Sequence, residues 1–170
     1  VDPTDRTLII YRELYRKNLT GVDLANVITR MEVQDPYSVQ GVLDTSAWAR
    51  TGTTGPTVGE TLQRAGHKLR RADKNRIQGK SQIHEYLRVQ HSGRPRLQIF
   101  NSCPNLIREL QGIPLDKSNP EDVDTHAPDH AYDALRYLIM SRPRVNDPYS
   151  QIRNLHLQQA YTPSDTTFGY

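Results

Sequence analysis

The chain has 170 residues, a formal net charge of +3 and a pI near 9.1. Its length suffices for one domain with a real core, while the 35% hydrophobic content and mean hydropathy of −0.73 leave part of it outside any packed interior. No apolar run approaches a membrane span and no signal pattern opens the chain. The single Cys103 excludes an internal disulfide framework and suits a reducing cytoplasm.

Asp2-Pro3-Thr4-Asp5 has turn chemistry, and Thr7 to Tyr15 reads as a strand rich in Leu, Ile and Tyr. Thr20 to Met31 reads as a helix with Thr20 as N-cap and Leu24, Val27, Ile28 and Met31 at helical spacing. A second strand, Ser38 to Leu43, ends at Asp44. The Gly/Thr/Pro loop Thr51 to Gly59 leads into a short helix, Glu60 to Ala65, and His67 to Ala72 reads as a strand. Arg76 to Val89 is expected to be helical, Leu97 to Phe100 a short strand, and Leu106, Ile107 and Leu110 mark another helix. After an acidic loop from Asp116 to Pro128, the last helix is expected from Asp129 to Met140, with Pro128 suiting its start. Its buried positions are expected to be Ala131, Ala134, Leu135, Leu138 and Ile139. Strands alternating with helices predict an α/β sheet covered by helices over residues 1–140. Pro143, Pro148 and Pro163 in a polar context predict an extended or disordered tail over 141–170.

Chemistry concentrates in three places. Asp129 and Asp133 stand one turn apart at the start of the last helix, where like charges cost an isolated helix roughly 0.2–0.5 kcal/mol. The positive helix N-terminus offsets part of this, and a divalent cation would offset far more. Asp44 ends an apolar strand, where α/β sheets gather functional groups, although a simple turn or cap aspartate fits that position as well. A strand-end acid together with acids at a helix start is a donor set for Mg²⁺ or Mn²⁺. Two such ions, about 3.5–4 Å apart, activate water and stabilise a leaving phosphodiester oxygen. The third place is basic: Arg64, His67, Lys68, Arg70, Arg71, Lys74, Arg76 and Lys80 lie in one stretch. It reads either as a solvated surface or as a patch that tracks DNA phosphates.

Other patterns fail on inspection. Gly79-Lys80-Ser81 ends like a Walker loop, but Lys74 stands where the first Gly belongs. His126 and His130 have zinc-hydrolase spacing, but Ala127 replaces the required Glu. Cys103 reads as a buried apolar residue.

Several segments in order carry a family resemblance. These are Tyr11-Arg12-Glu13-Leu14-Tyr15 with Thr20-Gly21-Val22-Asp23, the strand ending at Asp44, and Arg94-Pro95-Arg96-Leu97-Gln98-Ile99-Phe100. Cys103-Pro104-Asn105-Leu106-Ile107-Arg108-Glu109-Leu110, Asp122-Val123-Asp124-Thr125, Asp129 to Tyr137 and the ending Asp165 to Tyr170 complete the set. Together they resemble the C-terminal nuclease domain of the large terminase subunit of tailed phages. The resemblance implies an RNase H-like mixed sheet flanked by helices and a two-metal endonuclease using Mg²⁺ or Mn²⁺ to cut concatemeric double-stranded viral DNA. It implies the portal protein and the small terminase subunit as partners, no membrane, and the host cytoplasm as location.

By position, Asp44 matches the second acidic ligand and Asp129 the acid of the last helix, with Asp133 supporting or replacing it. The family's first acid lies on an opening strand that this sequence lacks, so the chain is expected to be a nuclease fragment with weak activity of its own. A resolvase-type nuclease and a non-catalytic module that docks DNA or the portal are the alternatives.

Overall fold

Local hydrogen-bonding chemistry sets where the elements start. The computed structural model describes residues 7–35, 39–50 and 55–142. Strand β1 is Leu8–Ile10 and helix α1 is Gly21–Glu32. Thr20 caps α1 in a reciprocal box: its Oγ1 accepts the Asp23 N–H, and the Asp23 carboxylate accepts the Thr20 N–H, each at 3.2 Å. Strand β2, Gln40–Leu43, runs into a 3-10 turn at Thr45–Trp48, and helix α2 follows at Val58–Arg64. A second capping box, Thr57 with Glu60, starts α2 two residues earlier than periodicity indicates. Strand β3 is Lys68–Arg71, helix α3 Arg76–Leu87, strand β4 Leu97–Ile99, helix α4 Pro104–Gly112 and helix α5 His130–Met140.

The fold is α/β. Among the described residues the strands form two parallel pairs, β1 with β4 (Leu8 opposite Leu97, Ile10 opposite Ile99) and β2 with β3 (Gln40 opposite Lys68, Leu43 opposite Arg71). The expectation of one continuous sheet is therefore replaced by two small ones that share a helical neighbourhood. Helix α5 packs against α3, α4 and β2.

The expected strand from Thr7 to Tyr15 stops at Ile10, because β4 stops there too. The Phe100 N–H closes the ladder on the Ile10 carbonyl at 2.9 Å, and the chain then turns into α4. The side chains beyond Ile10 tie down other elements instead. The Arg12 guanidinium pairs with Asp35 at 2.6 Å, and the Glu13 carboxylate accepts the N–H groups of Asn105 and Leu106 at 3.0 and 3.1 Å, at the start of α4. Those contacts replace a side-chain cap that Cys103 does not supply.

One core joins Leu8, Ile83, Leu97, Cys103, Leu106, Val123, Tyr132, Leu135 and Ile139. Cys103 is fully buried, and burial raises its thiol pKa, in keeping with an apolar role. On α5 the buried face differs from the expected one: Ala134 is exposed, whereas Tyr132, Arg136 and Tyr137 are buried. Arg136 is only 2% exposed. The close α3–α5 approach that covers it requires Gly79, where an added Cβ would lie 2.4 Å from Arg136 Cγ.

No helix among the described residues is long and apolar enough to cross a membrane. The N-terminal turn at Asp2–Asp5, the start of the second strand at Ser38, residues 51–54 and the expected tail from residue 143 onward lie outside the described residues.

Candidate functional site

Strand β2 delivers Asp44 to its carboxyl end. There Asp44 caps the 3-10 turn, and its Oδ1 accepts the Ser46 N–H at 2.6 Å. The same oxygen lies 3.4 Å from Lys74 Nζ. Its other oxygen, Oδ2, accepts the Tyr137 hydroxyl, 93 positions further along the chain. Burial alone would raise the Asp44 pKa. The Tyr137 hydroxyl, the Ser46 donors and Lys74 outweigh it and hold the carboxyl well below the ordinary range.

Helix α5 presents Asp133 one turn before Tyr137. The Tyr137 hydroxyl stands 3.4 Å from Asp133 Oδ2, so one hydroxyl faces an oxygen of each carboxylate. Asp133 Oδ1 accepts Nε and Nη2 of Arg136, both at 3.0 Å, with Arg76 Nη1 at 4.0 Å. Burial, the Asp44 hydrogen bond and the Asp133 charge together push the Tyr137 phenol far above its ordinary pKa. It is therefore a neutral donor at any working pH.

Asp129 occupies the N-cap position of α5, yet its side chain makes no capping hydrogen bond. A buried carboxylate from α4 does that work: Glu109 Oε2 accepts the Ala131 N–H at 2.7 Å and the Tyr132 N–H at 3.0 Å. The Asp129 carboxylate is thereby spared the capping role, and its nearest ionic partner is His130 Nδ1 at 3.8 Å. Burial first, and the Asp133 charge second, raise its pKa. The helix begins at His130, one residue later than expected, and Pro128 precedes the cap rather than opening the helix.

The two histidines have different surroundings. His126 lies in the loop before the helix and pairs with Asp124 at 3.0 Å, while His130 is exposed in the first turn. The preceding loop is ordered by its own acids and by basic residues from α3. Asp116 accepts the Ser118 N–H at 2.7 Å and the Asn119 N–H at 2.9 Å. Arg76 Nε donates to Asp122 at 2.7 Å, and Lys80 Nζ donates to the carbonyls of Pro120 and Asp122 at 3.1 and 3.3 Å.

The basic stretch accordingly divides in two. Arg64, Lys68, Arg70, Arg71 and Lys74 are exposed. Arg70 Nη2 donates to the Ser141 carbonyl at 3.0 Å, and Arg71 stacks over the Trp48 ring at 5.2 Å. Register sets Arg71 opposite Leu43, next to Asp44. Arg76 is half-buried in the acid network and Lys80 is buried, so these two belong to the packing of α3 on the 116–128 loop rather than to an outer rim.

Sequence reasoning missed Tyr137, Arg136, Glu109 and Glu13 as parts of the site and its supports. The first two were within reach, because they follow Asp133 at helical spacings of four and three. The partners of the glutamates lie on distant elements, and no local signal marks them.

The donors here are carboxylate oxygens, which suits a hard cation such as Mg²⁺ or Mn²⁺. Among the described residues, no three His, Cys, Asp or Glu side chains gather to hold a metal ion. The Asp44 and Asp133 pair fits the mode in which one or two carboxylates bind Mg²⁺ and water or substrate phosphates complete its shell. Comparison with known proteins finds no family model, curated protein or solved structure that matches the chain.

Proposed function

We propose that this chain is the RNase H-like nuclease domain of a viral DNA-packaging terminase, a hydrolase that cuts double-stranded DNA with the help of Mg²⁺ or Mn²⁺. The observation that carries this reading is the meeting of Asp44 and Asp133 at one point, the Tyr137 hydroxyl, at the carboxyl end of a parallel strand. Asp44 and Asp133 would hold the cation, with Asp129, one turn before Asp133, adding negative charge beside them. A bound ion there supplies Lewis acidity and lowers the pKa of its water.

The chain's own residues do the rest. Arg136 and Arg76 fix the orientation of Asp133, and Lys74 and Arg71 carry positive charge to the edge of the acid pair, where a phosphate would approach. Arg64, Lys68 and Arg70 extend that charge along α2 and β3 and would position the duplex through its backbone, without base readout. The portal protein and small terminase subunit as partners, and the host cytoplasm as location, follow from the resemblance alone.

A second reading, a non-catalytic module that docks DNA or the portal, draws on a different observation. Asp44 and Asp133 already have cationic partners in Lys74 and Arg136, as purely structural carboxylates do.

Supercoiled plasmid incubated with the chain and Mn²⁺ separates the two readings. The nuclease reading expects nicking that EDTA stops and that Asp44→Asn or Asp133→Asn removes while the far-ultraviolet spectrum is unchanged. DNA binding with neither nicking nor measurable Mn²⁺ binding would overturn it in favour of the docking module.

A further inference from the structure

The position on which the two carboxylates converge is taken by a side chain of the protein itself. Asp44 Oδ1 is engaged by Ser46 and Lys74, and Asp133 Oδ1 by Arg136. The remaining oxygens, Asp44 Oδ2 and Asp133 Oδ2, both face the Tyr137 hydroxyl. A phenol carries a single proton, so Asp44 Oδ2, on the shorter contact, is its main acceptor and Asp133 Oδ2 at 3.4 Å the weaker one. Bonds from Mg²⁺ to oxygen are about 2.0–2.1 Å long. An ion joined to both Oδ2 atoms would therefore need the space that the phenol oxygen and its proton fill. The hydroxyl dipole thereby reduces the repulsion between the two Oδ2 atoms, which Lys74 and Arg136, both bound at the Oδ1 atoms, do not reach directly. Tyr137 is held at this place by the stacking of the Arg136 guanidinium, 4.6 Å from its ring centre, and by the last turns of α5.

Resting on the metal-site reading above, we propose that the Tyr137 hydroxyl closes the cation seat in the metal-free protein and is displaced when Mg²⁺ or Mn²⁺ enters. Tyr137 is thus a competitor of the ion, not one of its ligands. Its removal relieves the ion of that competition and leaves the two Oδ2 atoms without their shared donor. Tyr137→Phe should therefore bind the cation more tightly and be less stable without it.

The test is Mn²⁺ titration by calorimetry on the whole chain, comparing the native protein, Tyr137→Phe and Tyr137→Phe with Asp44→Asn. The expected result is a Kd at least several-fold lower in Tyr137→Phe than in the native chain, with binding lost when Asp44 is also changed. Thermal unfolding should show a larger Mn²⁺-induced rise in Tm for Tyr137→Phe than for the native protein. Equal or weaker Mn²⁺ affinity in a folded Tyr137→Phe variant overturns the competitor role while leaving the metal site standing. Binding to neither protein at millimolar Mn²⁺ removes the metal site itself, and the proposal with it. Ring resonances of Tyr137 in the native chain, followed during Mg²⁺ titration, decide the matter should the variant not fold. They must move in step with occupancy, and resonances that stay fixed at saturation refute displacement.

Discussion

Glu109 should be worth more to this protein than any other single carboxylate, although it touches no candidate ligand. It is 3% exposed, and one of its oxygens accepts two backbone N–H groups at the start of α5, at 2.7 and 3.0 Å. Hydrogen bonds to a charged group contribute about 1.5–3 kcal/mol each, and a helix cap alone about 1 kcal/mol. Against this stands its second oxygen, which is buried and has no hydrogen-bond partner among the described residues. Glu109→Ala removes both bonds, leaves two N–H groups to whatever water enters the cavity, and relieves that desolvated oxygen. The net expectation is a loss of about 2–4 kcal/mol. At a mid-range urea slope of about 2 kcal/mol/M, the midpoint should fall by about 1–2 M. Glu109→Gln keeps an acceptor of the same shape without the charge and should cost about 1 kcal/mol.

A second readout separates capping from packing. With Glu109 gone, Asp129, already at the N-cap position, is the residue placed to cap the orphaned donors. An Asp recruited to that role accepts backbone N–H groups, and its pKa should move from above to below the ordinary carboxylate value. Urea denaturation and carboxyl-detected NMR titration of Asp129 check the two halves. A Glu109→Ala protein within about 0.5 kcal/mol of the parent, or one in which Asp129 still titrates high, would refute the reasoning.

Gly79→Ala places a methyl 2.4 Å from Arg136 Cγ, on a side chain pinned to Asp133, so strain of about 1–3 kcal/mol outweighs the gain of about 1 kcal/mol in helix propensity. Its urea midpoint should fall, and an unchanged or raised midpoint would show that Arg136 is free to move. Asp129→Asn should stabilise the metal-free chain at neutral pH and, by removing a neighbouring negative charge, reduce any cation-dependent gain in Tm. The raised Asp129 pKa means that the folded chain holds this proton more tightly than the unfolded one. That contribution to stability is present below the ordinary carboxylate range and is lost as pH rises through the raised value, so the advantage of Asn should appear across that window and vanish below it. Reversing the charges of Arg70, Arg71 and Lys74 should weaken DNA binding without regard to sequence and flatten its salt dependence, whereas Lys80→Met should lower stability and leave the salt slope alone. Fluorescence anisotropy at several salt concentrations reads both, and equal slopes in all three proteins would return the exposed stretch to a solvated surface.

What the sequence made legible was local. Thr20 with Asp23, the apolar period of α5 and the short β-rich runs announce their elements, because the chemistry that starts them lies within one turn or one strand. Strand length was not legible, since Ile10 ends β1 only because its partner ends at Ile99. The α5 face was misjudged for a related reason. Periodicity assigns Arg136 to solvent and Ala134 to the core, yet Asp133 neutralises the arginine and Gly79 makes room for it, so Arg136 is the buried residue. Candidate acids were readable from type and position. Their partners were not, because Tyr137 meets Asp44, and Glu109 meets α5, across long stretches of chain.

Those long-range partners also explain why the acids are free to do anything at all. Glu13, just past β1, caps α4, and Glu109, on α4, caps α5, so these two helices are each oriented by a carboxylate from an earlier element. The relay ends at Asp129 and Asp133, which are spared the capping duty that acids at a helix start ordinarily perform. Around them, Asp44, Asp122, Asp129 and Asp133 face Lys74, Arg76 and Arg136, four carboxylates against three cationic side chains. A residual charge near −1 suits one divalent cation, which would turn the neighbourhood to about +1 and draw in a phosphate. A second ion would raise that to about +3, a load that only the anionic backbone of bound DNA can balance. On the proposed nuclease reading this charge balance orders events: one ion would bind to the protein alone, and any second ion would arrive with the substrate. Mn²⁺ stoichiometry by calorimetry should accordingly be one without DNA and rise only when a duplex is present, and two ions bound without DNA would show that Lys74 or Arg76 leaves its carboxylate on metal entry.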